Sequence, residues 1–90
     1  MQTDISKVLK ELGAHTVCSG YEDAGKTFNT PQMYVAGTDS QKAWETGYKL
    51  YAIEMRYDNA ENVGESGNVL GKIHEEITHI FDMIKDGEIK

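Results

Sequence analysis

The stretch Tyr48-Lys49-Leu50-Tyr51-Ala52-Ile53-Glu54-Met55-Arg56-Tyr57 decides how the rest of this chain is read. Taken in alternation, Tyr51, Ile53, Met55 and Tyr57 share one side, and Tyr48, Leu50, Ala52, Glu54 and Arg56 share the other. Side chains alternate across the faces of a strand, so the stretch predicts the longest strand of a sheet. The first set is apolar and is expected to face a core. The second set is half apolar and half charged, which suits a partly covered or partner-facing surface.

Downstream, Asp58 to Asn62 reads as a loop, and Val69 to Ile84 reads as a long amphipathic helix. Leu70, Ile73, Ile77, Ile80 and Ile84 recur at steps of three and four, and Val69 and Phe81 widen the stripe. Lys72, Glu75, Glu76, His79, Asp82 and Asp86 fall outside it and are expected to face water. Asp86-Gly87 supplies a stop and Lys85 suits the negative end of the helix dipole. For the start, Asn62 with Glu65 forms a capping-box pattern, and Ser66 and Asn68 offer later caps.

Upstream, Ile5, Val8, Leu9 and Leu12 make a short helix over Asp4 to Leu12, capped by Thr3 or Asp4 and ended by Gly13. His15 to Tyr21 alternates as a second strand. Glu22 to Asn29 is a polar loop or loose hairpin containing Gly25. Pro31 opens a third strand, Gln32 to Ala36, which Gly37-Thr38-Asp39-Ser40 closes. Lys42 to Gly47 carries Trp44, the one tryptophan. The order helix, strand, strand, strand, helix predicts an α+β domain spanning residues 1–90. It consists of a small antiparallel sheet of three to four strands with both helices packed on one face. Such a sheet has two open edges, which must be blunted or used.

Fifteen acidic against nine basic residues give a formal charge of −6. Direct nucleic-acid binding, which needs clustered Lys and Arg, is not expected. The scattered acids read as a soluble surface or, alternatively, as an acidic mimic that blocks a basic site. Cys18 is the sole cysteine, which precludes an internal disulfide and fits a reducing compartment. The N-terminus has no apolar signal region and no run is long enough to span a bilayer. The expected location is a virion or a host cytoplasm, not secreted and not in a membrane.

Three strings hint at chemistry. Gly20-Tyr-Glu-Asp-Ala-Gly25-Lys26-Thr27 satisfies the phosphate-loop pattern. Pro31 follows too soon for the required helix, Glu22 and Asp23 put negative charge where phosphates would sit, and no magnesium-binding strand follows. A nucleotide site is the remote reading, and a hairpin tip the nearer one. His74 and His79 are five apart, so they do not share a helix face as zinc ligands must, and Glu76-x-x-His79 lacks the second such motif that di-iron bundles need. Cys18 has no activating partner in sequence beyond a nearby His15 and reads as a packing residue. No catalytic, cofactor or metal site is expected, and the chain is read as non-enzymatic. The aromatics point instead to contact surfaces, because Tyr and Trp bury area while keeping a polar handle.

The succession of a docking helix, a strand and polar loop, Thr30-Pro31-Gln32-Met33-Tyr34-Val35-Ala36-Gly37, a polar segment with Trp44, the strand Tyr48–Tyr57 and a final helix resembles the tail-terminator and minor structural proteins of tailed bacteriophages. The resemblance implies a head–tail joining subunit that assembles as a ring, commonly a hexamer, through sheet edges and loops. Its partners would be further copies of itself and other virion proteins. The chain stops just after Gly87-Glu88-Ile89, where that family usually continues into further strand. On this reading the candidate interface is Tyr34, Trp44, Tyr48, Leu50, Glu54 and Arg56. The alternative is a small acidic phage-encoded inhibitor of host defence, similar to anti-CRISPR proteins. It would act as a nucleic-acid mimic or decoy against a basic host protein or ribonucleoprotein. Its candidate surface is Glu22, Asp23, Glu61, Glu65, Glu75, Glu76 and Asp82, which on that reading converge on one side.

Overall fold

The structure, a computed structural model, describes residues 4–25 and 35–89. Four helices follow in order: α1 (Ile5–Glu11), α2 (His15–Ala24), α3 (Asp39–Asn62) and α4 (Gly67–Lys85). No strand occurs among the described residues, so the expected α+β sandwich is replaced by an all-helical fold.

The decisive correction is at Tyr48–Tyr57, which lies in the second half of the 24-residue α3. Seven of these ten residues are Tyr, Leu, Ala, Ile or Met, and so dense an apolar run fits a two-residue period and a helical one equally well. Local propensity favours the helix. Leu50, Ala52, Glu54, Met55, Arg56 and Lys49 are helix formers, and Ile53 is the one β-branched residue. Extended into the flanking residues the helical period becomes plain: Ala43, Trp44, Gly47, Leu50 and Ala60 are buried, and Ile53, Glu54 and Tyr57 are half-buried between them. Thr38 caps the start, its Oγ1 accepting from the Gln41 amide at 3.2 Å. Asp58–Asn62, expected as a loop, is the last turn of this helix. Asn62 therefore cannot cap α4.

The expected strand His15–Tyr21 is also helical. Ala14, Val17, Cys18 and Tyr21 recur at three and four residues, and the first three are buried and the last half-buried. Of the expected strand Gln32–Ala36, residues 32–34 lie outside the described part, Val35 has no regular structure and Ala36 sits in a turn. The two terminal helices follow the sequence reading closely. Asp4 caps α1 through the Lys7 amide at 3.1 Å. Ser66 caps α4, accepting from the Val69 amide at 3.4 Å. Helices α1, α3 and α4 end in the same hydrogen-bond motif, in which a glycine at positive φ turns the chain. At Gly13 (φ 76°), for instance, the Ala14 amide reaches the Leu9 carbonyl at 2.9 Å.

Two glycines inside helices bring α2 and α3 together. A Cβ on Gly47 would lie 1.8 Å from the Val17 carbonyl oxygen, and a Cβ on Gly20 would lie 1.9 Å from the Trp44 carbonyl oxygen. Each helix thus presses its backbone into the gap left by the other's missing side chain. The connection Val63–Ser66 then folds α4 back along α3 as a helical hairpin, with Arg56 paired to Glu76 across it. Ile5 and Leu9 of α1 enter the same core as Val17, Leu50, Ile77 and Ile84. The molecule measures 40 × 32 × 22 Å. The least dimension is about two helix diameters, so a helix covered on one side stays bare on the other.

Candidate functional site: the outward face of α3

The side of α3 opposite its buried residues carries Tyr48, Ala52, Met55 and Asn59, all exposed, at helical spacings of four, three and four. Tyr48 and Met55 keep 40% and 42% of their surface accessible. The Tyr48 ring leans on the buried Trp44 ring with centroids 5.1 Å apart, which fixes its position on the surface. Trp44 is itself anchored by its indole Nε1 donating to the Asp23 carboxylate at 2.8 Å. At the far end, the α3–α4 turn opens a shallow groove of about 500 Å³ with an apolar floor of Ala60, Val63, Val69 and Ile73. Arg56, Lys72 and Glu65 stand on its rim.

Of the six residues expected at an interface, this face collects two, Tyr48 and Arg56. Leu50 is fully buried, because two positions along a helix is more than half a turn away from Tyr48 and not on its side. Glu54 is half-buried and accepts a hydrogen bond from the Tyr21 hydroxyl. Burial and that carboxylate hold the Tyr21 phenol well above its ordinary range. Trp44 is buried, and Tyr34 lies outside the described residues. Sequence reading missed Met55 and Asn59 as members of the face, since the alternation placed Met55 toward the core and left Asn59 in a loop. A helical period counted from Thr38 would have found both.

The seven acids of the alternative surface are divided among different neighbours. Glu22 accepts from the Cys18 thiol at 3.0 Å and the Ser6 hydroxyl at 3.2 Å, with Lys10 Nζ at 3.6 Å. Those two hydrogen bonds hold its carboxyl below the ordinary carboxylate value. Asp23 receives the Trp44 indole and Glu76 pairs with Arg56. Glu61, Glu65, Glu75 and Asp82 are exposed near the turn and along α4.

The other motifs resolve into local structure. Gly20 to Ala24 belongs to α2, while Lys26 and Thr27 lie outside the described residues. Cys18 is buried, and burial pushes its thiol up, the opposite of an activated nucleophile. Thr78 Oγ1 lies 3.4 Å from His74 Nδ1 on the exposed side of α4. Among the described residues no three His, Cys, Asp or Glu side chains group as metal ligands, and no helix is long and apolar enough to cross a membrane. No protein-family model matches the chain, and comparison with curated proteins and with solved structures gives no match.

Proposed function

We propose that this chain is a non-enzymatic assembly or adaptor subunit that works by protein–protein contact through the outward face of α3. One observation carries the reading. Tyr48, Ala52 and Met55 form an apolar line along the longest described helix, open to solvent, with the Tyr48 ring resting on the Trp44 ring. Aromatic and methionine side chains are favoured at contact surfaces, and a preordered helix backbone has little freedom left to lose on binding. The tail-terminator resemblance was carried by an order of strands, and helices stand in that place, so contact is assigned to a helix face and not to sheet edges. The decoy reading keeps one supporting feature: Glu75, Asp82 and Asp86 share the outer side of α4.

Site-specific photo-crosslinking in living cells tests the proposal. A photoreactive residue at Met55 is expected to give discrete adducts, and one at His79 on the outer side of α4 is not. Adducts at His79 with none at Met55 would move the contact surface to α4 and favour the decoy.

A further inference from the structure

Ile89 joins the core from beyond the end of α4. The chain turns back at Gly87, where φ is 82° and the Glu88 amide donates to the Met83 carbonyl at 3.0 Å. Gly87 and Glu88 are exposed and Ile89 is half-buried, so one side chain holds this turn down. Two clefts flank it. One, of about 670 Å³, reaches Thr16 at the start of α2 and Ser40, Lys42 and Ala43 at the start of α3. The other, of about 200 Å³, lies against Leu12, Gly13, Ala14 and Ile84. Gly87 and Ile89 line both, so the turn is their shared wall. Ile89 is buried over part of its surface only, and its seating is weaker than that of a fully buried isoleucine. The helices add little support there. Of the described helices, α4 comes close to α3 alone, and its end meets α1 and α2 through side chains, Ile84 and Ile89 among them.

We infer that residues 87–89 are a strap that opens in the otherwise folded protein. Pivoting at Gly87, it lifts Ile89 from its seat and merges the two clefts into one, floored by Ala14, Ala43 and Ile84. All three are buried while the strap is down. The opening is local, because it breaks the hydrogen bonds of one turn and one apolar contact. The packing of α2 on α3 and of α3 on α4 is left as it stands, and such sub-global openings cost less than unfolding the whole domain. The strap thereby makes an apolar surface available conditionally, and the inference is independent of the contact reading for α3.

Thiol labelling of the full chain with N-ethylmaleimide, read position by position by mass spectrometry, tests the strap. Ala43→Cys puts a thiol on the cleft floor, while the native Cys18, buried and lining neither cleft, reports any wider opening. Adding Ile89→Ala is expected to speed labelling at position 43 by about tenfold, the scale of trimming a part-buried isoleucine, and to leave the Cys18 rate unchanged. Circular dichroism should show the same helicity in both variants. Hydrogen exchange on the wild type needs no substitution. The Glu88 amide is expected to exchange faster than that of Ile84 by roughly tenfold or more, at a rate that low denaturant does not change, as a local opening requires. Labelling at 43 that Ile89→Ala leaves unchanged, or that rises in step with Cys18, overturns the inference. So does a Glu88 amide as slow as that of Ile84. Fraying of the turn without release of Ile89 would give the fast amide and no change at 43, and that result also rules the strap out.

Discussion

Gly47 shows how much of a fold one residue can carry. Within a helix a glycine costs about 1 kcal/mol relative to alanine, and its usual sequence meaning is a break. Here the cost is offset by the close approach of α2, whose Val17 carbonyl occupies the space of the missing side chain. Gly47→Ala should therefore destabilise the protein although it improves helix propensity, because the overlap is with backbone that cannot swing aside. The expected loss is about 1–3 kcal/mol or more, read as a lowered denaturant midpoint; an unchanged or raised midpoint would show that the crossing is looser than described. At the α1–α2 seam, Glu22 ties together the Cys18 thiol and the Ser6 hydroxyl. Its folded carboxyl titrates below its unfolded value, so this contribution is complete above the ordinary Glu range, about pH 4.3, and is lost as pH falls through the depressed folded value. Thermal melts of Glu22→Gln are expected to lose that acid-limb dependence while resembling the wild type in the other features of the pH profile. The half-exposed Lys10–Glu22 pair is screened by solvent and adds little.

At the scale of elements, the helices differ sharply in what holds them. α1 has seven residues and packs chiefly on α2. A helix so short does not persist alone, and it is held by Ile5 and Leu9 and by the Ser6–Cys18–Glu22 cluster. α3 packs against both α2 and α4. Native-state hydrogen exchange should therefore find the α1 amides exchanging first, by local undocking, and those at the centre of α3 last. Equal protection in α1 and α3 would mean that the four helices open only as one unit. Elements were legible in proportion to the contrast of their patterns. α4 alternates isoleucine with charge and has clear end signals, so its faces were readable residue by residue. α2 and α3 combine small, aromatic and polar residues around internal glycines, and alternation described them as well as helical spacing did.

At the scale of the molecule, the core is small and shared. Ile77 sits at its centre, 2% exposed, and α1, α2, α3 and α4 all contribute to the cluster around it. Ile77→Asp places an unpaired charge there, a penalty of several kcal/mol against a total stability of about 5–15 kcal/mol for a small domain. Circular dichroism is expected to show loss of cooperative folding; a cooperative melt near the wild-type temperature would remove Ile77 from the core.

Sequence alone indicated α1 and α4 and the glycine stops at Gly13 and Gly87, because each rests on neighbours within one or two turns; the structure selected Asp4 and Ser66 from the several caps the sequence offered. Sequence also supplied the acidic balance and the lone buried-type cysteine. Whether Tyr48–Tyr57 and His15–Tyr21 are strands or helices was decided in tertiary structure. The deciding contact is the reciprocal fit of Gly20 against Trp44 and Gly47 against Val17, residues far apart in the chain, whose gain appears only when two helices meet. The same contact turns Leu50 inward and leaves Tyr48, Ala52 and Met55 outside. The surface available for function thus follows from how α2 and α3 cross; the helical spacing that carries it is present in the chain, but the packing is what selects it over the alternation.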